Sequence, residues 1–235
     1  MTYQNERIVA QCDTDPVDGV VVISWEKILL VGALVCLSAW AVTHFSWWLL
    51  FCYLAVTGIV LCFGHSLGMH RKLIHGSYGC PKWLEYLLVH LGSLVGLAGP
   101  LGMIATHDIR DWAQRQSRCH DYFGHRQCWY VDLFWQLCCN LKLRHPPLLQ
   151  IESEIAQDRV YQLMERYWIA QQLPWVLLFY CFGGVDAVAW CVGLRTLTCM
   201  FGHWLIGYFA HNQGKQHWLI EGAYVQGFNI PFTSF

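Results

Sequence analysis

Apolar positions along this chain fall in long unbroken stretches, and the charged positions are gathered between them. Between Lys27 and Arg71 there is no Asp, Glu, Lys or Arg. A membrane-spanning helix needs about 20 apolar residues, so this stretch predicts two spans joined by a tight turn at His44, Phe45 and Ser46. Trp47 and Trp48, just past that turn, suit the aromatic belt at a membrane interface. Residues 167–185 and 196–214 are also free of formal charge and predict a second hairpin with Gly183 and Gly184 near its tip. Arg195 then lies inside the second arm, where it either faces a cavity or a partner or snorkels to the interface.

Residues 86–106 are uncharged too, but Gly92, Gly96, Gly99, Pro100 and Gly102 make them a poor helix. Charge placement decides their role. With four spans, every Lys and Arg except Arg195 falls on one side, which is the positive-inside pattern. A fifth span would carry Arg110 through Arg166 across and destroy that asymmetry. Residues 86–106 are therefore expected to form a buried or half-immersed helix. Residues 1–19 are polar and acidic and lack the features of a cleaved secretory signal, so the first span is expected to be retained. The predicted fold is all-α and membrane-embedded, with four transmembrane helices in two hairpins and a helical cytosolic cap. Its segments are a cytosolic N-terminus at 1–26, a first hairpin at 27–66, the cap at 67–166, a second hairpin at 167–211, and the start of a C-terminal cytosolic segment at 212–235.

Composition agrees. Of 235 residues, 55% are hydrophobic and only 13% charged, far from a soluble average. The net charge of −1 offers no electrostatic footprint for nucleic acid. Twelve cysteines would suit a disulfide framework, but six lie in predicted spans and no C-x-x-C pair occurs. A zinc ribbon or thioredoxin-type site is thereby disfavoured, and cysteine as a small apolar filler is expected.

The histidines carry the candidate chemistry. Only His44 is predicted on the outer side; the others cluster at span ends or on the basic side. In HRKLIHGSY, His70 and His75 are five apart. On an ideal α-helix they would point about 140° away from each other, so the helix is expected to end between them, eased by Gly64, Gly68 and Gly76. In the segment beginning ATHDIRDW, His107 and Asp111 share a helical face, and His120 and His125 come after them. The bland alternative there is a solvated helix with Asp108 and Arg115 on its wet face. Imidazole with carboxylate suits iron better than a thiolate site would. His203 and His211 form the third group. Each cluster alone has a structural explanation, but three on one membrane face argue jointly for a metal centre.

HRKLIHGSY, the TH ending at His107, LRHPP, and RYW ahead of the second hairpin together resemble the integral-membrane acyl-CoA desaturases of the stearoyl-CoA type. The resemblance runs from about Trp25 to the last residue. It implies two hairpins under a cytosolic cap, with histidine boxes binding two irons that activate dioxygen and dehydrogenate a fatty acyl chain. The family's first box, H-x-x-x-x-H, is matched by His70 and His75. Its second, H-x-x-H-H, is matched only at His107; Arg110 and Asp111 stand at the other positions. The isolated ligand on the fourth span is matched by His211, and Gly207 replaces the family's asparagine one turn earlier. Arg195 and Trp204 fall where the family has Arg and Trp, implying a role near the acyl channel. The third box is absent. Residues 222–235 resemble its run-up, so a chain cut short of the last ligands, and inactive as it stands, is the expectation. Asp111, His120 and His125 are the candidates to replace missing ligands.

By this reading the substrate is a fatty acyl-CoA whose chain enters an apolar tunnel lined by aromatics such as Trp83, Trp112 or Trp204. Electrons come from a separate carrier, since no flavin, dinucleotide or iron–sulfur motif is present, and the resemblance implies a ferredoxin or a cytochrome with its reductase. Three alternatives stay open: a diiron membrane hydroxylase, a four-span haem or quinone carrier, and a non-catalytic membrane protein that has lost its second box.

Overall fold

A computed structural model describes residues 7–212, with side chains through residue 209. In chain order the α-helices are α1 (Trp25–Thr43), α2 (Trp47–Ile59), α3 (Lys82–Ser93), α4 (Pro100–Gln114), α5 (Asp121–Gly124), α6 (Trp129–Cys138), α7 (Ser153–Ala156), α8 (Arg159–Arg166), α9 (Leu173–Val188) and α10 (Arg195–Asn212). Segments Val60–Ile74 and Ala189–Leu194 wind as π-helix. The strands are β1 (Ile8–Val9), β2 (Gly19–Ile23), β3 (Cys139–Leu143) and β4 (Leu148–Leu149). Two compact units result. The first comprises residues 29–104 and 152–201, and the second takes the described parts of 1–28, 105–151 and 202–235.

Three helical stretches are long and apolar enough to cross a membrane: Trp25–Thr43, Trp47–Ile74 and Ala170–Phe209. The first two are separated where the sequence places a turn, with Ser46 as the extended residue before α2. Within the third, the backbone leaves helical geometry at Gly183 and Gly184, and Gly184 has φ +63. The stretches bury little of their own surface; Trp47 is 78% and Phe182 82% exposed. Large apolar side chains turned outward along such helices suit a lipid surround better than water.

In the first unit, the π-helical segment and α3 pack backbone to backbone. A Cβ on Gly64 would strike the Leu91 carbonyl and stand 2.5 Å from Gly92 N; one on Gly68 would strike the Leu88 backbone. The GHSLG spacing thus works as a small-residue contact, which lets two helices approach closely in lipid. Val60, Leu91, Leu94, Val95 and Cys199 form one buried cluster, and Ala41, Ala189, Trp190 and Cys191 another. Arg195 is 1% exposed. Its guanidinium donates to the carbonyls of Cys191 (2.7 Å) and Leu94 (2.8 Å) and to Gln172 Oε1 (2.7 Å), so it fastens three segments of this unit together.

Residues 86–106 do not form the single helix expected. α3 ends at Ser93 and α4 starts at Pro100, with Gly96 at φ +85 packed on Thr196. Burial is as expected: Leu88, Val89, Leu94, Val95 and Ile104 are all enclosed. Glu165 Oε2 accepts from the N–H groups of Leu101 and Gly102, both at 2.9 Å, and so satisfies the open start of α4.

The second unit corrects the all-α expectation, because it contains two two-stranded antiparallel sheets. β2 pairs with β3 from Gly19 opposite Leu143 to Ile23 opposite Cys139, and β1 pairs with β4. The N-terminal segment is therefore a structural part of this unit. Its core is Ala113, Cys119, Tyr122 and Phe123, with Val21, Trp112, Trp135 and Leu141 against it. All twelve cysteines are free thiols.

Candidate metal centre

His70 and His75 meet, though not by the route that α-helical geometry predicts. The backbone N–H of His75 donates to the His70 carbonyl at 3.0 Å. That is an i→i+5 bond, and it makes the fifth residue the neighbour on the next turn. The two Nε2 atoms stand 3.2 Å apart, with the rings nearly perpendicular at 79°. The helix does stop here, His75 being the residue that caps Ile74, but the wide winding, not the stop, aligns the imidazoles. Two nitrogens each about 2 Å from one ion, at roughly a right angle, lie about 3 Å apart. The pair therefore fits two adjacent positions on one metal.

A polar network holds this segment. Lys72, two residues past His70, reaches Glu85 of α3 at 3.0 Å, and Lys82 reaches the same carboxylate at 2.7 Å. The hydroxyl of buried Tyr161 also donates to Glu85. Tyr86 donates to Asp158 at 2.8 Å, and Asp158 caps α8 by accepting from the N–H of Val160 and Tyr161. Burial works to raise the Glu85 pKa, but the hydrogen bonds from Lys82, Tyr161 and Lys72 outweigh it and hold the carboxyl below its usual range. Burial, with Glu85 as neighbour, pushes the Tyr161 phenol up.

In the second unit, His107 and Asp111 share a face of α4 as expected, with Nε2 to Oδ2 at 3.9 Å. Asp108 is not on a wet face: it accepts from His107 Nδ1 at 3.0 Å and pairs with Arg7 at 3.2 Å. Arg110, at a second-box position, bonds Gln136 at 2.6 Å. His120 caps α5, its Nδ1 accepting from the N–H of Tyr122 at 3.1 Å, and burial lowers its pKa.

His125 is 1% exposed and holds a left-handed backbone, φ +50. Its Nδ1 lies 2.8 Å from Oδ2 of Asp132, which is fully buried, and the indole N–H of Trp204 donates to that same oxygen at 2.8 Å. Burial lowers the His125 pKa despite the opposing hydrogen bond to Asp132. A Cβ added to Gly207 would come within 3.0 Å of His125 Nε2.

Of the remaining expected residues, His211 lies in the last turn of α10 with its side chain outside the described residues. Trp204 is buried with its polar edge used by Asp132. Trp83 is 67% exposed, and Trp112 packs on the core of the second unit. Sequence reasoning missed Glu85 and Asp132. Asp132 did carry a signal, being the single acid in the otherwise apolar WYVDLFW.

No protein-family profile matches the chain. It is 31% identical over 187 residues to an sn-1 stearoyl-lipid 9-desaturase of Anabaena variabilis, covering 79% of this chain and 66% of that protein. It is 25% identical to an acyl-CoA C20 Delta5-desaturase of Anemone leveillei, over 81% of this chain and 61% of the relative. With an sn-2 palmitoyl-lipid 9-desaturase of Nostoc sp. (strain 36) the identity is 26%, over 81% and 67%. The chain thus spans about two thirds or less of the length of these relatives.

Proposed function

Because this chain belongs to the fatty acid desaturase family, we propose that it forms the ligand-bearing part of an integral-membrane oxidoreductase that introduces a double bond into a fatty acyl chain. The observation that carries this reading is the His70–His75 pair, two imidazole nitrogens 3.2 Å apart at the end of an apolar helix. The reading takes His70, His75, His107 and His211 as ligands of a diiron centre, with Asp111 a carboxylate donor beside His107. Four spans arise if Gly183 and Gly184 turn the third apolar stretch back on itself, and the charge asymmetry then puts the ligands on the cytoplasmic side.

Bound iron would supply, with dioxygen, the oxidising power against an unactivated methylene C–H bond that acid–base side chains lack. The chain's own part is geometric. The π-winding presents two imidazoles to one ion, the Lys72–Glu85 contact fixes that turn against α3, and Asp108 orients His107 through Nδ1, as carboxylates behind metal-bound histidines do. The acyl chain is carried either as a CoA thioester or within a lipid, since the relatives' names include both. Electrons come from a separate ferredoxin or cytochrome.

The test is to express the chain, together with anything its gene encodes beyond it, in a host lacking the unsaturation and to analyse fatty acid methyl esters by gas chromatography and mass spectrometry. A new double bond that disappears in His70→Ala and His75→Ala is expected. A hydroxylated product would transfer the assignment to the hydroxylase alternative, and unchanged lipids alongside stable, iron-loaded protein would overturn the oxidoreductase reading.

A further inference from the structure

Most buried histidine–aspartate pairs can be structural, but the one in the second unit has three features that a packing role does not require. The backbone of His125 adopts a left-handed conformation, which is uncommon for a residue with a side chain. Among the described residues, the carboxylate behind the ring receives only the imidazole and the Trp204 indole, and Asp132 Oδ1 has no hydrogen-bond partner. A buried carboxylate with so few donors is expensive unless a cation compensates it; Arg110 acts on the pair only through space, its guanidinium donating to Gln136. The far side of the ring is aimed at a site on α10 with no side chain: Nε2 and Cε1 occupy the space a Cβ on Gly207 would need, at 3.0 and 3.3 Å.

The helix then matters. Gly207 and position 211 lie four residues apart on α10, hence on one face and about 6 Å apart along the axis. An imidazole whose Nδ1 is held by a carboxylate and whose Nε2 projects onto that face has the arrangement found behind metal-bound histidines.

We propose that His125, oriented by Asp132 and admitted by Gly207, is a metal-ligating residue of this chain, acting on the His211 face of α10. The proposal rests on the diiron reading above, and it adds His125 to Asp111 among the candidate replacements for the incomplete second box. Asp132 is then a positioning residue, acting through His125. Trp204 is a second one, steering the carboxylate.

The test is Co2+ titration of the metal-stripped, detergent-purified chain, with visible ligand-field absorption as the readout and elemental analysis for stoichiometry. His125→Gln is expected to change the absorption spectrum and weaken Co2+ binding at least roughly tenfold. Asp132→Asn, which keeps shape and leaves the ligand in place, is expected to weaken binding by roughly 10–100-fold. Gly207→Ala leaves both His125 and Asp132 intact yet presses on Nε2, and is expected to shift the spectrum. Wild-type affinity and spectrum in all three variants, with His70→Ala impaired, would overturn this inference and leave the diiron reading standing. Absence of Co2+ binding by the unaltered chain would overturn both. A loss in His125→Gln accompanied by wild-type behaviour in Asp132→Asn and Gly207→Ala would reduce the pair to a packing role and also count against it.

Discussion

Replacing Glu85 by Gln keeps the shape of the side chain and removes its charge. Its carboxylate is 9% exposed and meets Lys72, 20% exposed, at 3.0 Å and Lys82, 49% exposed, at 2.7 Å. A largely enclosed hydrogen bond between charged groups contributes about 1.5–3 kcal/mol. The Lys82 contact is half in solvent and is worth under about 1 kcal/mol after screening. Together the substitution should cost about 2–4 kcal/mol, which for a chain of this size is a fall of about 5–15 °C in Tm. Lys82→Met, by contrast, should lower Tm by at most about 2–4 °C. Thermal unfolding followed by tryptophan fluorescence in mild detergent measures both. Equal effects of the two variants, or a Glu85→Gln protein within a degree or two of the parent, would show that Glu85 does not clamp the Lys72 turn.

Gly68→Ala should destabilise by about 1–3 kcal/mol as overpacking, because its new methyl meets the Leu88 backbone, which cannot swing aside; denaturant titration in detergent reads this, and Gly58→Ala, with open space around it, is the matched control. Acid sensitivity arises from Glu85 and Asp158, both held below the usual carboxylate range. Their contribution is full above the unfolded carboxylate values, about pH 4, and is lost as pH falls through the lower folded values. Tm should therefore fall on acidification below about pH 4, and less steeply in Glu85→Gln than in the parent.

The break between α1 and α2 around Ser46 could be read from the chain because two long uncharged runs on either side of it were all that was needed. The His70–His75 pair could be read as a motif but not as geometry. Reckoning at 3.6 residues per turn places the rings far apart, whereas the five-residue spacing is itself the repeat of the π-winding observed. β1 and β2 escaped notice for another reason: they are two and five residues long, and their partners lie more than a hundred residues along the chain. Short strands paired across such separations leave no local periodicity. His125 was visible as one more histidine, but Asp132, Trp204 and Gly207 give it meaning only once α6 and α10 are in place.

The π-helical stretch also carries a liability. Each residue in it makes its backbone bond to the fifth one along, a pattern the chain keeps only while its residue count is unchanged. Losing a single residue between Val60 and Met69 would rotate the downstream residues by about 100° relative to α2. His70 and His75 would keep their spacing and turn together away from the direction in which they now point. Length conservation in this short window is therefore as strict a requirement as the identity of the two histidines.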